Sequence, residues 1–221
     1  MTLFVVVYVD FAIYTTRKAY LAEQTKEKLK TLQSAVLKEQ IAPHFLFNSL
    51  QSVKTNYRLS QDKGDRAIDL LSRHMRNYVQ AGDQYLIPFV KELDAVMTFV
   101  ELSNLRTDRP FHIIYDIDEE DFLVPPLSIE PLIENAVLYS GVNEKEDGYI
   151  EISSSRSKEG IMIRISDNGK GFDMKSVRKE AVGIKNAFER FRLLLGAKCA
   201  IKSEPGQGTI IEIETSNRGG N

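Results

Sequence analysis

Pro43 is the residue that most limits how this chain can fold. It lies inside a run of helix-forming sequence from about Ala19 to Leu59. Proline has no backbone N–H, and its ring crowds the carbonyl one turn back, here that of Glu39. One unbroken helix is therefore excluded, and the helix must kink or restart at this point. Directly after it come His44 and Phe45-Leu46-Phe47-Asn48. If a helix runs on from the break, Asn48 lies one turn beyond His44 on the same face. Spacing alone reads this stretch as a helix start with a histidine at its edge and three apolar anchors. What gives His44 a task is the rest of the chain.

With 221 residues, the chain has room for one or two domains. Its formal net charge of −2 leaves no nucleic-acid footprint and no general attraction for acidic partners. Cys199 is the single cysteine and has no internal disulfide partner. In its alternating segment it reads as a buried small hydrophobe of a cytosolic fold. There are no internal repeats and no metal-ligand spacing. His74 and His112 read as a helix and a strand residue without a special task.

Leu3 to Tyr14 is apolar and aromatic but contains Asp10, and it falls short of the roughly 20 residues a full span needs. Arg17 and Lys18 follow it, and aromatic then basic residues mark the cytoplasmic end of a transmembrane helix. Residues 1–18 are therefore expected to be the end of such a span, with a buried amphipathic helix as the alternative. The protein is then placed at the cell membrane with its core on the cytoplasmic side. From residue 19 the sequence is polar, with Leu21, Leu29, Leu32 and Val36 at helical intervals. A narrow apolar stripe on a charged helix wants a partner helix, so a dimeric stalk is expected.

Gln61-Asp62-Lys63-Gly64 reads as a turn and Asp65 as the cap of a following helix that turns Ile68, Leu71, Met75 and Tyr78 inward. Two such helical hairpins would make a four-helix bundle in a homodimer. Residues 81–88 read as a hinge. A helix from about Phe89 to Leu105 follows, with Leu93, Val96, Met97 and Val100 inward. The period then changes to that of strands at Phe111–Ile117, 149–153, 161–165, Lys198–Ser203 and Thr209–Thr215, with helices over Ser128–Ser140 and Gly183–Leu195. The fold class expected is α+β. A helical stalk and dimerisation region, residues 19–80, precedes an α/β sandwich over residues 89–216, and residues 217–221 form a loose tail.

Three clusters in the α/β part can carry chemistry. Glu134-Asn135-Ala136 lies on a helix, Asp167-Asn168-Gly169-Lys170-Gly171-Phe172 follows a strand, and Gly183-Ile184-Lys185-Asn186 opens a helix. Glycine turns admit close backbone approach, and helix N-termini offer N–H groups to phosphate. An aspartate at a strand end can accept from an exocyclic amine, and an asparagine oxygen is a hard ligand suited to magnesium. Each cluster is weak singly; their order and spacing are strong.

Together these residues resemble the LytS-type sensor histidine kinases, whose ATP domain has the Bergerat fold shared with gyrase and Hsp90. Gln40-Ile41-Ala42-Pro43-His44-Phe45-Leu46-Phe47-Asn48 resembles that family's phosphoacceptor box. Pro125-Pro126-Leu127 with Glu130-Pro131-Leu132-Ile133-Glu134-Asn135-Ala136 resembles its asparagine box. Asp167 to Phe172 resembles the first glycine box and Gly206-Gln207-Gly208-Thr209 the last. The resemblance implies that His44 takes a phosphoryl group from ATP with Asn48 orienting it, that Asn135 binds magnesium, and that Asp167 reads adenine. It also implies that Gly169, Lys170, Gly171, Gly183, Lys185 and Thr209 line the ATP site, with Asn168–Val182 as a lid. The implied partners are a second copy of the chain, the receiver domain of a response regulator, and the membrane.

Three positions depart from the family pattern. Leu138 and Tyr139 stand where such kinases carry Lys and His, and Ala181 stands where a glycine opens the second glycine box. These departures keep a catalytically weak pseudokinase scaffold as the alternative. The gyrase-like hydrolases place a water-activating glutamate four residues before the magnesium asparagine. Here that position is Pro131, which cannot act as a base.

Overall fold

Helix α1 runs from Pro43 to Leu59. The computed structural model describes residues 14–17, 20, 43–81, 84–105, 107, 109–173 and 182–216. The expected span end and stalk stripe therefore lie largely outside the described residues. Residues 14–17 are helical and exposed. Among the described residues, no helix is long and apolar enough to cross a membrane.

Helix α2, Gln61–Ala81, follows α1 after the single residue Ser60. The turn expected over Gln61–Gly64 is instead the first turn of α2. The cap is Ser60, whose Oγ accepts the Lys63 N–H at 3.2 Å. Asp65, expected to be the cap, lies inside the helix and accepts the Tyr57 hydroxyl. At Gly64 the two helices approach so closely that a Cβ would sit 2.4 Å from the Tyr57 ring. The buried stripe of α2 is Ala67, Leu70 and His74. It is not the expected Ile68, Leu71, Met75 and Tyr78, of which Ile68 is 42% exposed.

Within one chain α2 packs chiefly on α3, Phe89–Asn104. Arg73 pairs with Asp94 at 2.6 Å along this contact, and Arg66 with Glu101 at 3.4 Å. Val96 and Val100 of α3 are buried as expected, while Met97 is exposed. Asn56 of α1 donates to the carbonyl of Leu105 at 3.3 Å and closes the C-terminus of α3.

The strand ladder is β2 (His112–Ile117), β4 (Tyr149–Arg156), β5 (Gly160–Asp167), β7 (Thr209–Ser216) and β6 (Lys198–Ser203), in that spatial order. β2 and β4 are parallel; the other pairs are antiparallel. A second, two-stranded ladder joins β1 (Ile87–Pro88) to β3 (Leu123–Val124). The strand expected from Phe111 begins one residue later, because Asn104 holds both the N–H and the carbonyl of Phe111.

Helices α4 (Glu130–Tyr139) and α5 (Val182–Leu195) pack on the large sheet. Ile150, Ile152, Ile163, Ile165, Ile211 and Ile213 alternate along β4, β5 and β7 and are buried, as are Leu132, Ile133 and Phe191 of the helices. The chain is thus helical first and then a mixed-sheet α/β layer, as the sequence predicts. Cys199 departs from expectation: on edge strand β6 it is only half-buried, with its thiol directed at the Phe188 carbonyl at 3.9 Å.

Candidate functional site

Asp167 is the last residue of β5 and is 8% exposed. Its Oδ1 accepts the Gly169 N–H at 2.9 Å. Burial pushes its carboxyl up, and hydrogen bonds from Gly169 and Thr209, with the charge of Lys145, pull it the other way. Thr209 is the register partner of Asp167 on β7, and its hydroxyl also lies 3.2 Å from Ser203 Oγ. The turn after Asp167 is pinned on both sides. The Lys170 N–H donates to the Ser140 carbonyl at 2.7 Å, and the Lys170 carbonyl accepts from Gly206 at 2.6 Å. Asn168 faces the other way, accepting the Tyr149 N–H at 2.9 Å and donating to the Asp147 carbonyl at 2.8 Å.

The glycines here are needed before any ligand is considered. A Cβ on Gly171, at φ 57, would lie 2.0 Å from the Glu204 carbonyl oxygen, and one on Gly208 1.9 Å from that of Asp167. A Cβ on Gly169 would meet the Ser140 side chain at 2.4 Å. Chain against chain, rather than chain against phosphate, already demands these residues.

Asn135 projects from α4, and its Nδ2 donates to the Pro131 carbonyl at 2.7 Å. With Nδ2 so occupied, Oδ1 is the atom available to a hard cation. Gly183 in the first turn of α5 packs beside it; a Cβ there would lie 3.1 Å from Asn135 Nδ2. Ser140, just past α4, touches Gly169. Asn135 of α4 and Gly183 of α5 therefore lie side by side, while Gly169, Asp167 and Thr209 cluster at the end of β5 and reach α4 through Ser140. Lys185 is exposed on α5, and Lys170 is exposed in the turn. Leu138 and Tyr139 are each 50% exposed at the end of α4. Ala181 and lid residues 174–180 lie outside the described residues. His44 and Asn48 are helical in backbone at the start of α1; their side chains lie outside the description.

The structure adds charged residues that sequence reasoning missed. Glu92 is 1% exposed on α3, and its carboxylate accepts the N–H groups of Leu127, Ser128 and Ile129 at 2.5, 3.0 and 2.9 Å. The helix expected from Ser128 begins at Glu130, after Leu127 at φ 53 and with Ile129 as its N-cap, and Glu92 satisfies the free N–H groups at its start. The signal was a glutamate in phase with Phe89, Val96 and Phe99 on an apolar face. Arg190 of α5 donates to the carbonyls of Leu127 and Pro126 at 2.6 and 3.3 Å. Glu130 is 3% exposed and accepts the Tyr78 hydroxyl at 2.7 Å, with His74 Nε2 3.5 Å away. Burial pushes the Glu130 carboxyl well above its usual range, the Tyr78 bond opposes this, and Glu92 and Glu134 add to it. His74, read from sequence as having no special task, is fully buried at this junction.

Two family models match this chain. One describes histidine kinases and covers residues 32–111. The other describes the ATPases like histidine kinase, DNA gyrase B and HSP90 and covers residues 128–218. The chain belongs to the histidine kinase family. The chain is 33% identical over 195 residues to the sensor histidine kinase YpdA of Escherichia coli, matching 84% of this chain and 34% of that protein. It is 30% identical over 152 residues to the sensor protein LytS of Staphylococcus epidermidis, covering 68% and 26%. With the putative uncharacterized protein YwpD of Bacillus subtilis it shares 28% identity over 201 residues, covering 86% and 72%. The likeness to LytS-type kinases drawn from the motifs holds, and the chain spans about a third of the length of YpdA and about a quarter of that of LytS.

Proposed function

We propose that this chain is the kinase core of a two-component sensor: it moves the γ-phosphoryl group of ATP to His44 and then to an aspartate of a response regulator. The observation that carries the reading is the packing of Gly183 of α5 against Asn135 of α4, with the Asp167–Gly169 turn set against Ser140 just past the same helix, in a chain whose two parts match histidine kinase and ATPase models. Asp167 accepts from the adenine amine. Glycine N–H groups at residues 171 and 183, with Lys170, Lys185 and Thr209, hold the phosphate chain, and Gly169, its own N–H given to Asp167, shapes the turn beside them. Asn135 Oδ1 holds magnesium, which when bound supplies neutralising charge. One protein ligand suits an ion that keeps several waters and phosphate oxygens.

Phosphoryl transfer needs positioning and charge stabilisation more than covalent work by the protein. Neutral imidazole, abundant near pH 7, attacks through one ring nitrogen while Asn48 steadies the other. The N–P bond forms, the P–O bond to ADP breaks, and the ring proton leaves to solvent, since Phe45 and not an acid follows His44. In this reading residues 1–18 end a membrane span and residues 19–80 form the stalk and dimerising helices of a homodimer. Residues 81–88 are the hinge, residues 89–216 bind ATP, residues 217–221 are tail, and the core faces the cytoplasm.

Incubation with labelled Mg·ATP tests this. The wild type should take up acid-labile, base-stable phosphate, and His44→Gln should take up none. Label persisting in His44→Gln would sink the assignment. A second reading, a dimeric scaffold, is favoured by Leu138 and Tyr139, which offer no cation at the end of α4. It takes over if the wild type neither binds ATP at millimolar concentration nor gains binding on the double change Leu138→Lys with Tyr139→His.

A further inference from the structure

The segment Pro126 to Ile129 leads into α4, and both of its polar edges are gripped. Its N–H edge is taken by Glu92, whose carboxylate receives three consecutive backbone donors. Its carbonyl edge is taken by Arg190, which donates to Pro126 and Leu127. Between them Leu127 has φ 53, the one non-glycine positive φ among the described residues. Such a conformation persists only where its surroundings over-determine it. The N-cap residue of α4, Ile129, has no side chain able to cap, and the structure records no side-chain cap bond from it. Glu92 performs that service from another helix, and its charge suits the positive end of the α4 dipole.

The two gripping residues sit on different helices. Glu92 is on α3, while Arg190 is on α5, the helix that opens with Gly183. Their shared target leads into α4, the helix that carries Asn135. The gap between α4 and α5 at the site is narrow, since a Cβ on Gly183 would already press Asn135 Nδ2 at 3.1 Å. Whatever sets the start of α4 against the body of α5 therefore sets where Asn135 stands relative to the first turn of α5. Asp167 stands apart from this linkage, anchored on β5 and β7.

We propose that Glu92 and Arg190 are positioning residues for the magnesium-phosphate half of the nucleotide site, acting through the Pro126–Ile129 segment to fix Asn135 against the first turn of α5. This rests on the kinase reading above. Neither residue is assigned a contact with nucleotide. Glu92→Gln keeps the shape but turns an NH2 group toward donors, and Arg190→Met keeps the stem but loses both hydrogen bonds.

Calorimetry on the whole chain with Mg·ADP and with metal-free ADP separates positioning from plain packing. Glu92→Gln and Arg190→Met should each weaken Mg·ADP by tenfold or more and metal-free ADP by threefold or less, because the adenine contact at Asp167 is untouched. Arg190→Lys, which can still donate to one carbonyl, should recover part of the loss. A packing role alone would lower the melting temperature without changing the ratio of the two affinities, and an unchanged ratio in folded variants overturns the proposal. If Glu92→Gln does not fold, the Arg190 pair decides. A wild type that binds neither form removes the kinase reading and this proposal together, whereas equal binding by wild type and variants removes the proposal alone.

Discussion

Asp167 accepts hydrogen bonds from Gly169 and Thr209 while sitting almost out of solvent. In Asp167→Asn an NH2 group must replace one acceptor oxygen, so a donor faces a donor. An unmet buried group costs about 1–3 kcal/mol, and a site built to pair an amine rejects its ligand strongly once the acceptor is gone. Nucleotide affinity should therefore fall by about a hundredfold while circular dichroism still reports a folded chain; equal affinity in both proteins would make Asp167 an ordinary turn residue.

His74 offers a test of a different kind. Burial beside Tyr78, Phe99 and Glu130 lowers its pKa from 6.5 to about 4. The unfolded chain then takes up a proton between these values that the folded chain refuses. Stability from this group is complete above pH 6.5 and is lost as pH falls toward 4, at about 1.4 kcal/mol per unit. At pH 5 the wild type should have lost about 2 kcal/mol relative to its value at pH 7.5 that a His74→Gln variant does not lose. Urea midpoints at the two pH values measure this, and parallel curves would show His74 to be titrating normally. Sequence reading dismissed this histidine because its partner, Glu130, is far away in the chain. The glycine boxes were legible as boxes, but that Gly171 and Gly208 press on neighbouring backbone was not.

Among the elements, α2 was legible from Asp65 onward but not in its first turn, and its buried face was misread. Its buried stripe is made of Gly64, Ala67, Leu70 and His74, and apart from Leu70 these are small or polar residues that periodicity of large apolar side chains overlooks. The more hydrophobic stripe of Ile68, Leu71 and Met75 lies one residue round and is less covered. Strand β7 was read to within one residue of its end, while β4 runs three residues past the expected 149–153 and β5 extends one residue before and two past 161–165; a half-buried strand writes its period directly into sequence, but its ends less so. The Ser60 cap was hidden by Gly64, which reads as a turn but sits in the helix because Tyr57 lies against it. Docking of α2 onto the start of α4 hangs on Tyr78 and Glu130. Tyr78→Phe removes the hydroxyl bonded to a buried carboxyl, so it should destabilise the chain by about 1–3 kcal/mol. Amide exchange should speed up first in the last turns of α2 and the first turn of α4. Uniform exchange across the chain would place the effect elsewhere.

For the whole molecule, the family and the order of helical region then sheet were open in the sequence, because motif order survives where single motifs are ambiguous. The stalk is expected to supply the dimer interface through Leu21, Leu29, Leu32 and Val36, each buried Leu→Ala change costing about 2–5 kcal/mol. Removing residues 1–37 should weaken self-association in sedimentation while the sheet remains folded. An unchanged dimer affinity would put the interface wholly in α1 and α2.

The centre of the large sheet is the ladder between β5 and β7. Its two outer pairs are quick to form in comparison: β4 with β5 and β6 with β7 are neighbours in sequence, each a hairpin. Joining them requires the chain to close the long connection that carries α5 before β5 meets β7. Closure entropy grows only with the logarithm of loop length, so doubling that connection would add about 0.6 kcal/mol. Both ends of the loop are clamped at Asp167 and Thr209, the residues expected to meet the nucleotide. The segment between Phe172 and Val182 can thus lengthen or change composition over evolutionary time with little penalty to folding, which frees it to diversify as a regulatory insert while the chemistry at its two anchors stays fixed.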